Sequence, residues 1–306
     1  MSSSRYRPDA PPDYGHRFHA GNIGDVWKHC ALVEILSRAA SRTERIAYLE
    51  SHAGEGRYAL AATGEWTEAI GRLWDAPPAD LGDGAAARYT ALSRRLAGDA
   101  PRPRAYPGSP AIAREVLGPD ASLTLWERDP AAFARLEVEV GPDPRVQLHH
   151  GDGFAGLADA VARAETESRD AIVLVDPSYG QKSEWTLAGE AFATVARASS
   201  RACLVLWYPV KSLTRPNALL ARLESAGVAG TIAELVTAPL GERRHRLNGS
   251  GLLVVRPPAG ALEAIAAAAP VVGRICAVHA DAWSLRMVAT GARDGIRGPA
   301  PGSEAR

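Results

Sequence analysis

Cysteine is scarce in this chain of 306 residues, which contains Cys30, Cys203 and Cys276 at widely separated positions. An odd number of scattered cysteines argues against a disulfide framework and against a zinc cluster, so the sequence predicts no metal site. Reduced cysteines are typical of the cytosol. We therefore expect a cytoplasmic protein.

Long hydrophobic runs are also missing from the sequence. The stretch 1–19 has no apolar segment of the kind that secretion signals contain, and the apolar runs elsewhere have strand length or are broken by charges. We expect neither secretion nor a membrane span. Net charge is missing as well, because 35 basic and 35 acidic residues balance. A nucleic-acid partner would therefore need a local basic patch.

The length and the 46% content of hydrophobic residues allow one large domain, which we expect to act as a monomer. We assign it to residues 14–290, with a small helical insertion at 63–104. The ends at 1–13 and 291–306 are rich in polar residues, Pro and Gly, without periodicity. Such composition predicts flexible extensions.

Short apolar runs alternate with helix-like segments, at 46–50, 122–127, 145–150, 170–176 and 202–208. This alternation predicts an α/β, Rossmann-like fold whose mostly parallel sheet carries helices on both faces. The runs at 231–237 and 252–256 have no room for a helix between them, so we expect an antiparallel edge hairpin and seven strands in total. A first helix opens near Gly24, with Asp25 as its N-cap.

Ligands of open α/β sheets bind beyond the carboxyl ends of the strands, so the residues that follow each run are candidates for the site. After the first run, Gly54 and Gly56 allow a tight turn that approaches a ligand closely, or a turn with a structural role alone. His52 in this turn is either a ligand contact or a turn residue.

The second run ends at Glu127, whose carboxylate can accept both ribose hydroxyls of an adenosine-containing cofactor or simply pair with Arg128. The third run is followed by Asp152 and Gly153. Asp152 can accept the amine of the cofactor's adenine while Gly153 lets the ring approach, or the two residues form an ordinary Asp-Gly turn.

The fourth run delivers Asp176-Pro177-Ser178-Tyr179, close to the D-P-P-Y motif of methyltransferases that act on amino groups of nucleic-acid bases. The Asp176 carboxylate and the Pro177 carbonyl can accept the two hydrogens of an adenine amine, and Tyr179 can stack on the base. A dehydrogenase would be expected to have a G-x-G-x-x-G turn after its first strand, where this chain has Gly-Glu-Gly-Arg-Tyr. Methyl transfer is therefore favoured over hydride transfer.

The N-terminal segment Y-G-H-R-F-H-A-G-N at 14–22, followed by D-V-W-K-H at 25–29, resembles the RlmJ family. The resemblance continues through 49–58, 106–110, 126–127, 152–154, 176–179, 207–209 and 249–251, and covers about 14–256. That family methylates N6 of an adenine in 23S ribosomal RNA with S-adenosylmethionine and has the fold of class I methyltransferases. The resemblance therefore implies this activity, this cofactor and this RNA partner.

The resemblance also implies roles for individual residues. Lys28 would lie near the cofactor's carboxylate, and Tyr14 and His16 would belong to a segment that closes over the target base. The residues implied to contact S-adenosylmethionine are Lys28, His29, His52, Ser109, Glu127, Asp152, Gly153 and Asp176.

Ser178 departs from the family, which has a second proline there. The Pro177 carbonyl is kept, but the turn loses a fixed φ angle, which costs about 0.4–1 kcal/mol of preorganisation. We expect this change to slow the reaction without abolishing it.

The loop with Arg243, Arg244 and Arg246 is a candidate phosphate contact, or else a solvated hairpin tip. Two alternative functions also stay open. The same motif serves DNA adenine methyltransferases, and the serine could mark a non-catalytic RNA-binding module.

Overall fold

The computed structural model of the protein describes residues 18–240 and 247–290. Its strands are β1 (Ile46–Glu50), β2 (Arg57–Ala59), β3 (Ala105–Pro107), β4 (Ser122–Glu127), β5 (Val146–His150), β6 (Asp170–Val175), β7 (Cys203–Val210), β8 (Thr231–Val236), β9 (Gly249–Val255) and β10 (Ser284–Ala289). Its α-helices are α1 (Ile23–Ala40), α2 (Ile70–Asp75), α3 (Pro78–Leu81), α4 (Ala85–Ala97), α5 (Ser109–Val116), α6 (Pro130–Val140), α7 (Gly153–Thr166), α8 (Lys182–Ala198), α9 (Thr214–Ser225) and α10 (Ala261–Cys276).

The main sheet has the strand order β10-β8-β9-β7-β6-β1-β4-β5. Strands β5, β4, β1, β6 and β7 are parallel, and β9 runs antiparallel between β7 and β8. The predicted α/β fold, the parallel strands and the antiparallel pair are confirmed. The sheet has eight strands and not seven, because β10 pairs with β8 and takes the edge position expected for the hairpin.

Strand β10 escaped prediction because its sequence carries a weak apolar signal. Its residues are half-buried or exposed, and Arg286 stands in its middle. An edge strand has one neighbour and solvent on its open side, so it needs no continuous apolar run.

Side chains of the central strands alternate between two cores, one on each face of the sheet. In β6, Val173 and Val175 pack towards α7, α8 and α9, while Ile172 and Leu174 pack towards α1, α4 and α10. Successive residues of a strand point to opposite faces, so a strand covered on both sides must be apolar throughout. The unbroken run in β6 follows from this position.

Helix α1 precedes the first strand and is buried on nearly all of its faces. Its N-cap is Asn22, whose side chain accepts the Asp25 N–H at 3.2 Å, so the prediction of Asp25 as the cap is wrong. The Asp25 carboxylate instead accepts the Gly21 N–H at 2.9 Å and binds Lys28. Helix α1 packs against β9 and α10, and the Trp27 indole donates to the Ala233 carbonyl at 3.0 Å.

Residues 63–104 contain a 3₁₀ turn at Glu65–Glu68 and helices α2, α3 and α4. Side chains such as Ile70, Leu73 and Tyr89 are fully buried in the same core as α1. The short pair β2–β3 then returns the chain to α5, whose first residue is Ser109. Among the described helices, none is long and apolar enough to cross a membrane.

Candidate active site

A cavity of about 950 Å³ lies beyond the carboxyl ends of β1, β4, β6 and β7, where α1 and the start of α5 complete its wall. The ends of β1, β4 and β6 are in register, since Glu50 pairs with both Leu125 and Leu174. The cavity brings together most of the residues predicted for the site, namely Lys28, His29, His52, Ser109, Glu127, Asp176, Pro177 and Tyr179.

The other two predicted cofactor residues, Asp152 and Gly153, lie at the end of β5 and do not line this cavity. The exposed Asp152 caps α7 by accepting the Phe154 N–H at 3.0 Å. Gly153 is buried, and a Cβ there would lie 2.1 Å from the Ser51 carbonyl oxygen. In the structure Asp152 thus caps a helix and Gly153 packs closely against Ser51, which follows β1, and the contact of this pair with a cofactor stays a prediction.

The centre of the cavity holds a buried group of charges on α1 and β6. The Lys28 ammonium donates to Asp176 Oδ2 at 2.5 Å and to Asp25 Oδ1 at 3.0 Å. The side chain of Lys28 is 7% exposed and that of Asp176 12%. Asp25 and Lys28 are three residues apart on α1, which places them on the same face of the helix. Lys28 therefore bridges two carboxylates.

The protonation of this group follows from burial and from its mutual contacts. Burial raises the pKa of Asp176 to about 6, although the Lys28 ammonium favours the ionised form. Burial also opposes the charge of Lys28, but the two carboxylates outweigh it and raise its pKa. At neutral pH, Asp176 is ionised and still close enough to its pKa to take up a proton.

A second buried carboxyl, Glu50, lies at the end of β1. It accepts hydrogen bonds from the Tyr48 hydroxyl at 2.8 Å and from the Ser109 hydroxyl. Burial raises the pKa of Glu50 to about 8, and the neighbouring Asp176 charge acts in the same direction. Glu50 therefore keeps its proton at neutral pH and leaves the negative charge to Asp176 and Asp25.

Glu127 is held by the backbone around it. Its two oxygens accept the Gly54 N–H at 2.8 Å and the Asp129 N–H at 2.7 Å. Gly54 has a φ of +61°, a left-handed conformation that favours glycine and makes this turn tight. A carboxylate offers about four lone-pair positions, so Glu127 keeps acceptor capacity towards the cavity.

His29 and His52, which line the cavity, are neutral at physiological pH. Burial and the neighbouring Lys28 charge lower the pKa of His29 to about 3, and burial lowers the pKa of His52 to about 4. His29 Nδ1 lies 2.7 Å from the Tyr106 hydroxyl, and His52 Nδ1 lies 2.7 Å from the Ser51 hydroxyl. Each ring is thus oriented by one oxygen.

Tyr179 is held in a strained backbone conformation beside two tryptophans. Its φ of +55° is left-handed, which costs a non-glycine residue about 1–2 kcal/mol. Its hydroxyl donates to the Trp207 carbonyl at 2.8 Å, and its ring centroid lies 4.3 Å from that of Trp185. Strain of this kind is characteristic of functional turns that the surroundings hold in place.

The Ser178 hydroxyl takes part in the turn that follows β6. It donates to Glu184 Oε2 at 3.2 Å and accepts the Gly180 N–H at 3.3 Å. Glu184 also accepts the Gln181 N–H in the capping box of α8. The serine therefore replaces the fixed φ of a proline with hydrogen bonds to the start of the next helix.

A match to a known protein family identifies the class of protein that contains this site. The family described as "Ribosomal RNA large subunit methyltransferase D, RlmJ" matches residues 43–288. The chain belongs to the RlmJ family. The protein therefore has the predicted class I methyltransferase fold.

Two relatives of the RlmJ family match over most of their length. Ribosomal RNA large subunit methyltransferase J of Escherichia coli is 33% identical over 253 residues, which cover 80% of this chain and 87% of the relative. The protein of the same name from Haemophilus influenzae is 32% identical over the same shares. A solved protein from Legionella pneumophila, 23% identical, has the same fold, with a TM-score of 0.77 over 89% of this chain and 99% of its own.

Three features of this RlmJ family site were missed in the sequence. Asp25 was interpreted as a helix cap, although its spacing of three from Lys28 was an available signal. Glu50 ends a buried run, as Glu127 does, but no motif marked it. Trp185, near the start of α8, and Trp207, in β7, flank Tyr179, and no sequence pattern indicated that the three rings meet.

Several predicted substrate contacts cannot be placed. They lie outside the described residues and stay predictions: Tyr14, His16, Arg243, Arg244 and Arg246. Over the ranges 18–240 and 247–290, no group of three or more His, Cys, Asp or Glu side chains is arranged to hold a metal ion.

Proposed function

We propose that the protein transfers a methyl group from S-adenosylmethionine to the N6 amine of an adenine in 23S ribosomal RNA. The observation that carries this proposal is the placement of Asp176. Its carboxylate follows β6 into the cavity beside Pro177 and Tyr179, and the carboxylate of Glu127 lines the same cavity. The two acceptors for a base amine, Asp176 and Pro177, and the acceptor for a ribose, Glu127, thus line one cavity.

The residues of the cavity fit an adenosine-containing cofactor with an amino-acid group. Glu127 keeps lone pairs for ribose hydroxyls beside the tight Gly54 turn. His29 Nε2 is buried and has no hydrogen-bond partner among residues 18–240 and 247–290, so a polar atom in the cavity wall is left for a ligand. When bound, S-adenosylmethionine would supply an electrophilic methyl group.

The residues of the motif after β6 would act on the adenine amine. Its lone pair is delocalised into the ring, which makes the nitrogen a poor nucleophile. The Asp176 carboxylate and the Pro177 carbonyl would each accept one amine hydrogen and so localise the lone pair on nitrogen. As the nitrogen gains the methyl carbon it loses one proton, and Asp176 would hold that proton next to Lys28.

Exposed cations at the rim of the cavity support a polyanionic substrate. Lys211 and Arg215 lie after β7, and Arg128 follows β4 on the other side. Within the described part of the chain, no carboxylate lies within ion-pair distance of Lys211 or Arg215, and Arg128 is 3.7 Å from Glu184. These side chains would bind phosphates of the strand whose base enters the cavity.

The two alternative functions are not favoured. A DNA methyltransferase would share the motif, but the family is one of ribosomal RNA methyltransferases. A non-catalytic binding module would have no reason to keep an ionised Asp176 paired with a buried lysine.

The test is methyl transfer from labelled S-adenosylmethionine to deproteinised 23S ribosomal RNA from a strain without its RlmJ family enzyme. Nucleoside analysis of the product is expected to show N6-methyladenosine at one position. Asp176→Ala should remove turnover while S-adenosylhomocysteine still binds. Labelled DNA but unlabelled RNA, or near wild-type turnover of the variant, would contradict the proposal.

A further inference from the structure

His29 occupies an unusual position between a fully buried tyrosine pair and the cavity. The residue is 2% exposed, and its Nδ1 lies 2.7 Å from the Tyr106 hydroxyl. Tyr106 does not line the cavity, whereas His29 does. The other ring nitrogen, Nε2, has no hydrogen-bond partner among the described residues. The hydrogen bond of Nδ1 therefore determines what Nε2 offers to a ligand.

The Tyr106 hydroxyl is the middle of a chain of three groups. It lies 2.8 Å from the Tyr89 hydroxyl, and both tyrosines are buried. Burial raises the pKa of both hydroxyls, so both keep their protons. In the described part of the chain, the Tyr89 hydroxyl has Tyr106 as its hydrogen-bond partner, and the Ser93 hydroxyl nearby makes no hydrogen bond.

One arrangement of the protons in this hydrogen-bonded series gives both tyrosine hydroxyls an acceptor. If Tyr106 donated to Tyr89, the buried Tyr89 proton would be left with the Ser93 hydroxyl, which lies near it but outside hydrogen-bond geometry, at a cost of about 1–3 kcal/mol. If Tyr89 donates to Tyr106, then Tyr106 donates to His29 Nδ1 and both hydroxyl protons are bound. A neutral ring that accepts at Nδ1 carries its proton at Nε2.

The structure assigns Tyr89 and Tyr106 as positioning residues that hold His29 in the Nε2–H tautomer, so that the ring presents an uncharged donor to a carboxylate of the bound cofactor. This inference rests on the proposed function, because S-adenosylmethionine is the ligand with such a carboxylate. Most of the other donor capacity near α1 is already used. Two of the three N–H donors of Lys28 are bound to Asp25 and Asp176, and the Ser109 hydroxyl is bound to Glu50.

The tautomer can be measured in the free protein by long-range ¹H–¹⁵N correlation spectra of the histidine rings, with His29 assigned from a His29→Gln sample. We expect a protonated Nε2 and an unprotonated Nδ1. In Tyr106→Phe the ring should become a mixture of tautomers. A protonated Nδ1 in the wild-type protein would overturn the inference whether or not the protein is a methyltransferase.

Binding measurements test whether the His29 ring contacts the amino-acid group of the cofactor. Calorimetry would compare S-adenosylhomocysteine with 5′-methylthioadenosine, which lacks the amino-acid group. Tyr106→Phe is expected to weaken S-adenosylhomocysteine about three- to tenfold, the effect of one hydrogen bond, and to leave 5′-methylthioadenosine unchanged. Tyr89→Phe should act in the same direction but less. Tyr208→Phe is the control, since it removes a buried hydroxyl that contacts Glu234 away from the cavity lining.

The outcomes separate this inference from the proposed function. Equal losses for both ligands would mean that Tyr106 only supports the fold, and the assignment would be rejected. Wild-type affinity of Tyr106→Phe for S-adenosylhomocysteine would also reject it. Failure of the wild-type protein to bind either ligand would instead contradict the proposed function, while the spectra would still decide the tautomer.

Discussion

The Lys28 ammonium lies 2.5 Å from the Asp176 carboxylate, across 148 residues of sequence. In the structure Lys28 is bound to Asp176 and to Asp25, and its position near the cofactor's carboxylate, which the family resemblance implies, stays a prediction. Lys28 thus keeps Asp176 ionised in a place where burial favours the neutral acid.

Replacing this lysine should affect both stability and pH dependence. Lys28→Met leaves two buried carboxylates without their cation, and we expect the free energy of unfolding to fall by about 3–5 kcal/mol. The pKa of Asp176 should rise, so the acidic limb of the pH–rate profile should move to higher pH. Urea denaturation and single-turnover rates check this, with the exposed Lys182→Met as the control. An unchanged profile in a folded variant would contradict the role of Lys28.

The pKa of Asp176 predicts the pH dependence of the wild-type enzyme. A protonated carboxyl cannot accept an amine hydrogen, so turnover should fall as the pH decreases through about 6 and reach a plateau above it. Asp176→Asn should lack this limb and be slower by about 100-fold or more. Single-turnover rates between pH 5 and 8 measure both effects. A wild-type rate that stays constant down to pH 5 would refute the assignment.

Ser178→Pro restores the residue of the family. The substitution gains about 0.4–1 kcal/mol by restricting the unfolded chain and loses the two hydrogen bonds of the serine hydroxyl. These effects oppose each other, so we expect turnover within about threefold of wild type. Ser178→Ala loses the bonds without the restriction and should be the less stable variant in thermal unfolding. If Ser178→Pro had a much faster turnover than wild type, the hydrogen bonds of the Ser178 hydroxyl would not compensate for the absence of the proline.

The cations at the rim should determine the salt dependence of RNA binding. Removal of two phosphate contacts in Lys211→Ala/Arg215→Ala should reduce the slope of log K against log salt concentration by about 1.4–1.8. Arg222→Ala on the same helix α9 is the control, because Arg222 pairs with Glu190 outside the cavity lining. Fluorescence titrations with an rRNA fragment would measure the slopes. Equal slopes for wild type and double variant would remove these residues from the interface.

The sequence predicted the parallel part of the sheet well because buried strands must be apolar on both faces. The runs that became β1, β4, β5, β6 and β7 differ from their predicted bounds by no more than a few residues. Strand β10 and the N-cap of α1 were harder to predict from the sequence. An edge strand with Arg286 lacks the apolar signal, and Asn22 and Asp25 are both good caps that local sequence cannot distinguish.

Strand-end residues of the site were predictable for the same topological reason. Glu127 and Asp176 follow parallel strands, so their meeting at one edge follows from the fold. The partners of these residues were not predictable. Contacts such as Lys28 with Asp176, or His29 with Tyr106, depend on how α1 and β3 pack against the sheet, which no single segment encodes.

The position of α1 has a consequence for the protein's synthesis. Its Trp27 donates to Ala233 in β8, and the Gly24 carbonyl accepts from Ser250 in β9, which also receives the Trp207 indole N–H. A chain leaves the ribosome from its N-terminus, so α1 emerges long before these partners exist. A nascent chain that ends before β9 cannot seat α1 fully, and Lys28 and His29 are not yet held in place. The cavity at the carboxyl ends of the strands is therefore completed only after β9 has been synthesised.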